Sequence, residues 1–355
     1  MRSSASCACV AAACITAFGL TVETARDNAA HRVSAEIMGW QSYCAVSGAG
    51  QPQGPIAKPS ISRLVVDEVH SHSMFAFESA DGPVIMDLNS GKQWTLDGDD
   101  RLNAASPVEC PEFFAAGFEF LRQGDKVSAC SEDVCRSISI QPGTWVYAYA
   151  ATPDAAVAVT NFGDALIFRD GEWCRMEKTD ETYRCVHEAK MPTKPRGFQF
   201  YSSIRYKGVT LMGEWPSGRL YLFDGKEIRL WRNQPPHVGP DPIGYEAQSM
   251  AEYCGDLYVG YWPTGSIWRL HSGEWSEIKL FPDAEEFIPL SARQPDDLDI
   301  SFFGRRVTAL LPWRGDLYAT TSNLRGWEYG QETSAVSPDI ADLYGAVWRI
   351  SRCGD

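Results

Sequence analysis

Glu78 and Glu214 each stand four residues before a glycine, in ESADG and EWPSG, so two carboxylates recur at one place in a repeated turn. General acid or base work needs such groups to face one another where water is partly excluded. As a hydrolytic pair they would retain anomeric configuration at about 5 Å and invert it at about 6.5 to 9.5 Å. A β-elimination would use another set: His237, in RNQPPHVGPDPIG, to remove the proton beside a uronate carboxyl group, and Arg205 to stabilise the enolate, with Tyr201 and Tyr245 near. Arg205 with Tyr206, and Glu252 with Tyr253, are expected to face a central channel, and Arg196 and Arg305 join His237 on the connections that reach it. Charged residues at strand ends are commonly just solvated, so recognition without catalysis stands beside both readings.

The binding candidates are aromatic. WPSG and WPTG place Trp215 and Trp262 at equivalent turns, with Tyr261 where the other copy has Glu214. Flat rings of this kind stack on sugar C–H faces, but they pack equally well between neighbouring structural units. Asn323 and Arg325 flank a long insertion on the same expected face. His70 and His72, in VHSHS, map to a turn on the opposite face and read as exposed residues rather than metal ligands. No GxSxG, HExxH, GxxxxGK[ST] or GxGxxG occurs. DGDD and QPDDLD do not match a calcium loop; no cofactor is expected, although a single bound Ca²⁺ stays compatible with these runs.

What must hold these residues is a repeat. LMGEWPSGRLYLFDGKEIRLW, residues 211 to 231, and YVGYWPTGSIWRLHSGEWSEI, residues 258 to 278, are nearly one segment written twice, 47 residues apart. That period belongs to stacked supersecondary units, and its strand–turn–strand content points to propeller blades. Short apolar–polar alternations separated by turns give FYSSIRY, VTLMGEW, RLYLF and KEIRLW for one unit, and EAQSMAE, LYVGYW, SIWRL and EWSEI for the next. The same template fits residues 146 to 176, 62 to 96 and 117 to 140. RVTALLPWRGDLYATTSN and AVWRIS give three strands of a last unit, interrupted from Leu324 to Gly345. Its fourth strand is expected from residues 35 to 43, AEIMGWQSY, because propellers close by letting one terminus complete the unit begun by the other. The expectation is an all-β, six-bladed propeller over residues 35 to 355, or seven-bladed if another unit lies within 97 to 145.

The order of small-residue strand, P-[ST]-G turn, aromatic strand, [DS]-G turn and second aromatic strand resembles the β-propeller superfamily over about residues 60 to 351. It looks like secreted bacterial propellers with kelch- or sialidase-like architecture. That likeness implies a glycoside hydrolase, a polysaccharide lyase or a lectin-like binder. DLNSGKQW only faintly echoes the sialidase Asp-box, and neither the paired glycines of kelch nor the WD ending of WD40 units occurs. No family's catalytic residues carry over.

Composition narrows the partners. The 355 residues are 44% apolar and 22% charged, enough for a large core. A formal charge of -14 repels phosphate backbones and anionic lipid, which excludes nucleic acid as an expected partner and leaves an extracellular saccharide or protein. Met1 and Arg2 followed by SSASCACVAAACITAFGLTV read as a secretory signal peptide within residues 1 to 30, the mature start falling between Thr21 and Ala35. Ser, Thr, Gly and Cys dilute the run, which makes a one-pass membrane anchor the weaker reading, and Cys14 after Ala11, Ala12 and Ala13 faintly resembles a lipidation site but sits mid-run rather than at its end.

Eight cysteines remain beyond that segment: Cys44, Cys110, Cys130, Cys135, Cys174, Cys185, Cys254 and Cys353. An even set suits disulfides in an oxidising compartment. Cys130–Cys135 and Cys174–Cys185 are expected to close short loops, and Cys44–Cys353 to bridge the termini. The function expected is that of a secreted or periplasmic monomer acting on, or only binding, an extracellular glycan, with a small-molecule enzyme of lactonase type as a third possibility.

Overall fold

The computed structural model describes residues 61–63, 74–79, 82–87, 92–96, 102–105, 113–123, 125–144, 146–160, 163–193, 198–236, 238, 244–281, 305–323 and 343–350. Every regular element among them is a β-strand. After β1 (Ile61–Arg63), the strands β2 (Met74–Ser79), β3 (Gly82–Asp87), β4 (Gln93–Leu96) and β5 (Leu102–Ala105) form one antiparallel sheet in chain order. A second holds β6 (Phe113–Ala115), β7 (Phe118–Gln123), β8 (Lys126–Cys130) and β9 (Cys135–Ser139).

Two further sets of four follow: β10 (Val146–Thr152), β11 (Ala155–Thr160), β12 (Ala165–Arg169) and β13 (Glu172–Thr179), and then, after β14 (Thr182–Cys185), β15 (Gln199–Tyr206), β16 (Val209–Trp215), β17 (Leu220–Phe223) and β18 (Glu227–Leu230). β14 pairs with β13 on one side and β18 on the other, so these nine strands share one sheet. β19 (Glu246–Tyr253), β20 (Asp256–Trp262), β21 (Ser266–His271) and β22 (Glu274–Lys279) form the next sheet. In the last, β23 (Arg305–Trp313), β24 (Asp316–Asn323) and β25 (Val347–Ile350) are joined by β1, with Ile61 opposite Ile350. β10 packs on β15, β15 on β19, β19 on β23 and β23 on β2, so the first strand of each of these sets lies innermost.

The turns follow from residue type. Lys207-Gly208, Cys254-Gly255 and Arg314-Gly315 have positive φ at both positions, the two-residue hairpin turn whose twist matches that of the strands it joins. Gly213 and Gly260 serve another purpose. A Cβ on Gly213 would lie 2.5 Å from the Ala247 carbonyl oxygen, and one on Gly260 2.5 Å from Ser249 Oγ and 2.6 Å from Val307, so bare backbone is what lets the next inner strand approach. Ser202 Oγ then donates to Ala247 O at 2.7 Å and Ser249 Oγ to Val307 O at 2.8 Å. The apolar faces between sheets are filled by clusters such as Tyr183, Phe200, Met212, Tyr221 and Phe223 inside the nine-stranded sheet. Burying a side chain of this size contributes about 1.5 to 3 kcal/mol.

Two expectations change. The strand paired with β25 is Ile61–Arg63, whereas residues 35 to 43 lie outside the described residues. In the first sheet, MFAFES is the innermost strand rather than the second, because β2 heads its sheet and packs on β23 and β24. ADG is therefore the turn between the first and second strands, and the likeness of ESADG to EWPSG is a coincidence of turn chemistry. The signal segment, Cys44, Cys110, Cys353, His70 and His72 also lie outside the described residues. Cys130–Cys135 and Cys174–Cys185 are disulfides, and Cys254 is also disulfide-bonded.

Candidate functional site

Four of the inner strands share one irregularity. Register shifts occur between Val146 and Ala148, Phe200 and Ser202, Ala247 and Ser249, and Val307 and Ala309, each at the start of its strand. A bulge of this kind inserts one residue into the strand and re-aims its side chain. The inserted residues are Tyr147, Tyr201, Gln248 and Thr308, near the same end of four successive inner strands. Tyr201, Gln248 and Thr308 are all buried. Their sequence signal was present but small: VYA, FYS, AQS and VTA are four copies of apolar, polar, small. Composition carries it, yet strict alternation hides it.

Beside these bulges lies a charged chain across three inner strands. Glu246, first in β19, accepts from Arg306 Nη2 of β23 at 2.9 Å and is hydrogen-bonded by Tyr201 of β15. Burial pushes the Glu246 carboxyl up, and Arg306 and Tyr201 pull against that. Arg305, next to Arg306, stacks over Phe281 at 5.5 Å and hydrogen-bonds Tyr344.

Glu214, next to last in β16, lies at this same end and is buried, at 2% exposure. Tyr183 Oη donates to its Oε1 at 3.2 Å, Ser217 Oγ to its Oε2, and Lys178 Nζ stands 3.7 Å away. Lys178 in turn lies over the rings of Tyr183, Phe198 and Tyr221, at 5.2 to 5.9 Å. Burial is the largest influence on this carboxyl and raises its pKa, the hydrogen bonds and Lys178 lowering it. The carboxylate is thus enclosed by its own chain.

The repeated turns at this end are joints. Trp215-Pro216 and Trp262-Pro263 are cis. The Pro216 carbonyl accepts from Gly244 N at 2.8 Å and Tyr245 N at 3.0 Å, and the Pro263 carbonyl from Arg305 N at 2.8 Å, so each turn ties its sheet to the chain entering the next. Tyr261 is fully buried and donates to Gly218 O at 3.0 Å; Trp262 is 2% exposed. Both rings are buried, and Tyr261 packs in the apolar cluster with Leu220 and Val238. Trp215 is half-buried.

The other candidates separate. Register places Phe200 opposite Glu214 but Arg205 opposite Thr210, five residues further along β15 and about 15 Å away at the usual strand rise. Tyr253 pairs with Asp256 at that far end and donates to Gly315 O at 2.8 Å, as Tyr206 does to Gly255 O at 3.3 Å. These tyrosines are ties to the next sheet, with their hydroxyls already engaged. Glu78 pairs with Pro83 at the turn leaving the inner strand, so it too stands at the end away from Glu214, and the hydrolytic pair is not assembled. Asn323 pairs with Arg305 through the backbone at the bulged end. His237, Arg325 and Arg196 lie outside the described residues. Cys174, Cys185 and His187 bring ligand atoms within 4.8 Å of one another, but the two sulfurs are spent in their disulfide.

Sheets of this kind, packed through their first strands, define a β-propeller, and the chain has that fold. Solved structures similar to it include YCF48 bound to D1 peptide (10% identity, TM-score 0.31, covering 84% of this chain and 99% of that one). Others are BamB from Moraxella catarrhalis (11%, 0.30, 84% and 100%) and the β-propeller domain of Cps50 (Swd1) from Myceliophthora thermophila (9%, 0.33, 82% and 99%). No known family profile and no curated protein matches the sequence.

Proposed function

We propose that this chain is an exported, six-bladed propeller, closed by β1, that binds an extracellular saccharide where its bulged inner strands begin and does not turn it over. The observation that carries this reading is the recurrence of the bulge at Tyr147, Tyr201, Gln248 and Thr308, beside the Glu246–Arg306 pair. Phenol, amide, hydroxyl, carboxylate and guanidinium together supply donors and acceptors in the mixture that sugar hydroxyls and carboxylates require. Recognition is favoured over catalysis because Glu78, Arg205 and Tyr253 stand at the far end from Glu214. Export is supported by the disulfides and by the apolar, uncharged run after Arg2.

The test is a glycan array probed with folded protein, followed by calorimetry on each hit and an assay for new reducing ends and unsaturated uronates. The expected result is saccharide binding without turnover. Gln248→Ala and Thr308→Val should weaken it about 10- to 100-fold, the size of one or two lost buried hydrogen bonds, with melting temperature held within a few degrees. Turnover of any hit overturns the non-catalytic half of the proposal. A folded protein that binds no glycan, or binds one equally well in both variants, overturns the site.

A further inference from the structure

At the opposite end of the sheets, β20 and β21 bring an acid, an imidazole and a hydroxyl into line. Asp256, second residue after the Cys254-Gly255 turn's start, is 4% exposed, and its Oδ1 and Oδ2 lie 3.0 and 3.1 Å from His271 Nδ1. His271 Nε2 lies 3.3 Å from Ser272 Oγ. The gradient of burial runs the right way for nucleophilic chemistry: the carboxylate is buried, the imidazole side chain is 50% exposed, and the serine is exposed on its hairpin turn. Arg269 Nε donates to Asp256 Oδ2 at 2.7 Å, which fixes the carboxylate beneath the ring.

The scaffold does not demand this set. In the neighbouring copy, 47 residues earlier, Asp224 and Gly225 stand where this one has His271 and Ser272, and Val209 stands where it has Asp256. There Asp224 does a turn's ordinary work, its Oδ1 accepting from the backbone of Lys226 and Glu227, both at 2.9 Å. In this copy the same position carries the imidazole, which turns to the Asp256 carboxylate instead. His271 and Ser272 are departures from the repeat, whereas Asp256 recurs as Asp316 of the last sheet, paired there with Arg349 as Asp256 is with Arg269.

We infer that Asp256, His271 and Ser272 form a second, acyl-transferring site, whose substrate is an ester of a small carboxylic acid. Its parts have the roles of nucleophile, base and orienting acid, which are recognised by geometry rather than chain order. Ser272 Oγ attacks the ester carbonyl and its proton passes to His271 Nε2. The carbon–oxygen bond to the alcohol then breaks, and the departing oxygen takes that proton. Water attacks the acyl-serine, giving a proton to His271 and releasing the acid as Ser272 regains its own. Asp256 holds Nδ1–H in place and balances the imidazolium. The backbone N–H after the nucleophile, here that of Gly273, is where hydrolases draw one oxyanion donor. An exposed turn leaves space for a bulky alcohol half, so the small acyl group is the part such a site would select.

Labelling of the full chain with an alkyl fluorophosphonate, read by peptide mass spectrometry, tests this directly, because serine attack on phosphorus expels fluoride and leaves a stable adduct. Ser272 should be labelled, and p-nitrophenyl acetate should give an acetylated Ser272 peptide. His271→Gln, at a half-exposed position where the fold is not at stake, should slow both by about 100-fold or more, the usual weight of a general base. Absence of an adduct at Ser272 overturns the inference. So does labelling unchanged in His271→Gln, which would mark Ser272 as an ordinary surface hydroxyl.

Discussion

Glu214 shows what a single buried residue contributes. Burial lifts its carboxyl above the usual range, so the fold binds that proton more tightly than the unfolded chain does. The resulting stabilisation is fully present below the ordinary carboxylate pKa and is lost as pH rises through the raised one. Glu214→Gln, uncharged throughout, should therefore match the wild type at low pH and become increasingly more stable than it as pH rises through the raised carboxyl pKa, flattening that part of the curve. Glu214→Ala should cost about 2 to 4 kcal/mol at every pH, since Tyr183 and Ser217 lose the acceptor they share. Thermal melts of the three proteins across that range check both; a gap between Gln and wild type that does not widen with pH would refute the account. Glu214 itself was legible in the sequence as a departure from the repeat. Tyr147, Gln248 and Thr308 were not, because a bulge alters register while leaving composition nearly unchanged, and period-2 reading assigns such residues to the wrong face.

Strands and turns were legible for a matching reason: their chemistry is local. Alternation marks β15 to β18 and β19 to β22, and glycine pairs with positive φ mark their hairpins. The same locality misled in the first sheet, where ESADG imitates a turn between second and third strands while its real place depends on which neighbour β2 packs against. Glycines separate the two kinds of cause experimentally. Gly213→Ala and Gly260→Ala drive a Cβ into the next inner strand, at 2.5 Å from Ala247 and 2.6 Å from Val307, and should each cost about 2 to 3 kcal/mol or more. Gly208→Ala meets nothing within 4 Å and should cost only about 1 kcal/mol, for its φ of 83°. Denaturant midpoints at constant slope give the comparison. Equal costs at all three sites would mean that the spacing of neighbouring inner strands does not depend on bare backbone.

At the scale of the whole molecule, the unsolved problem of any sheet array is its open edge. β25 has β24 on one side, and without a partner its other side would present unpaired N–H and C=O groups to solvent and to other molecules. β1 supplies that partner through three pairs, Ile61 with Ile350, Ser62 with Arg349 and Arg63 with Trp348, across the longest sequence separation of any strand pair among the described residues. So short a strand adds little area, and its effect lies in cooperativity: it ties the start of the described chain to the sheet that also packs on β2 through β23 and β24. A chain beginning at residue 64 should therefore melt several degrees below one beginning at residue 60, unfold less cooperatively, and self-associate through the exposed edge of β25. Replacing Ser62 by proline removes a donor from that strand and should reproduce part of the effect without shortening the chain. Calorimetry and light scattering on the three proteins distinguish the outcomes. If both altered chains melt as sharply as the longer one and stay monodisperse, β1 is an attachment to the last sheet rather than its closure.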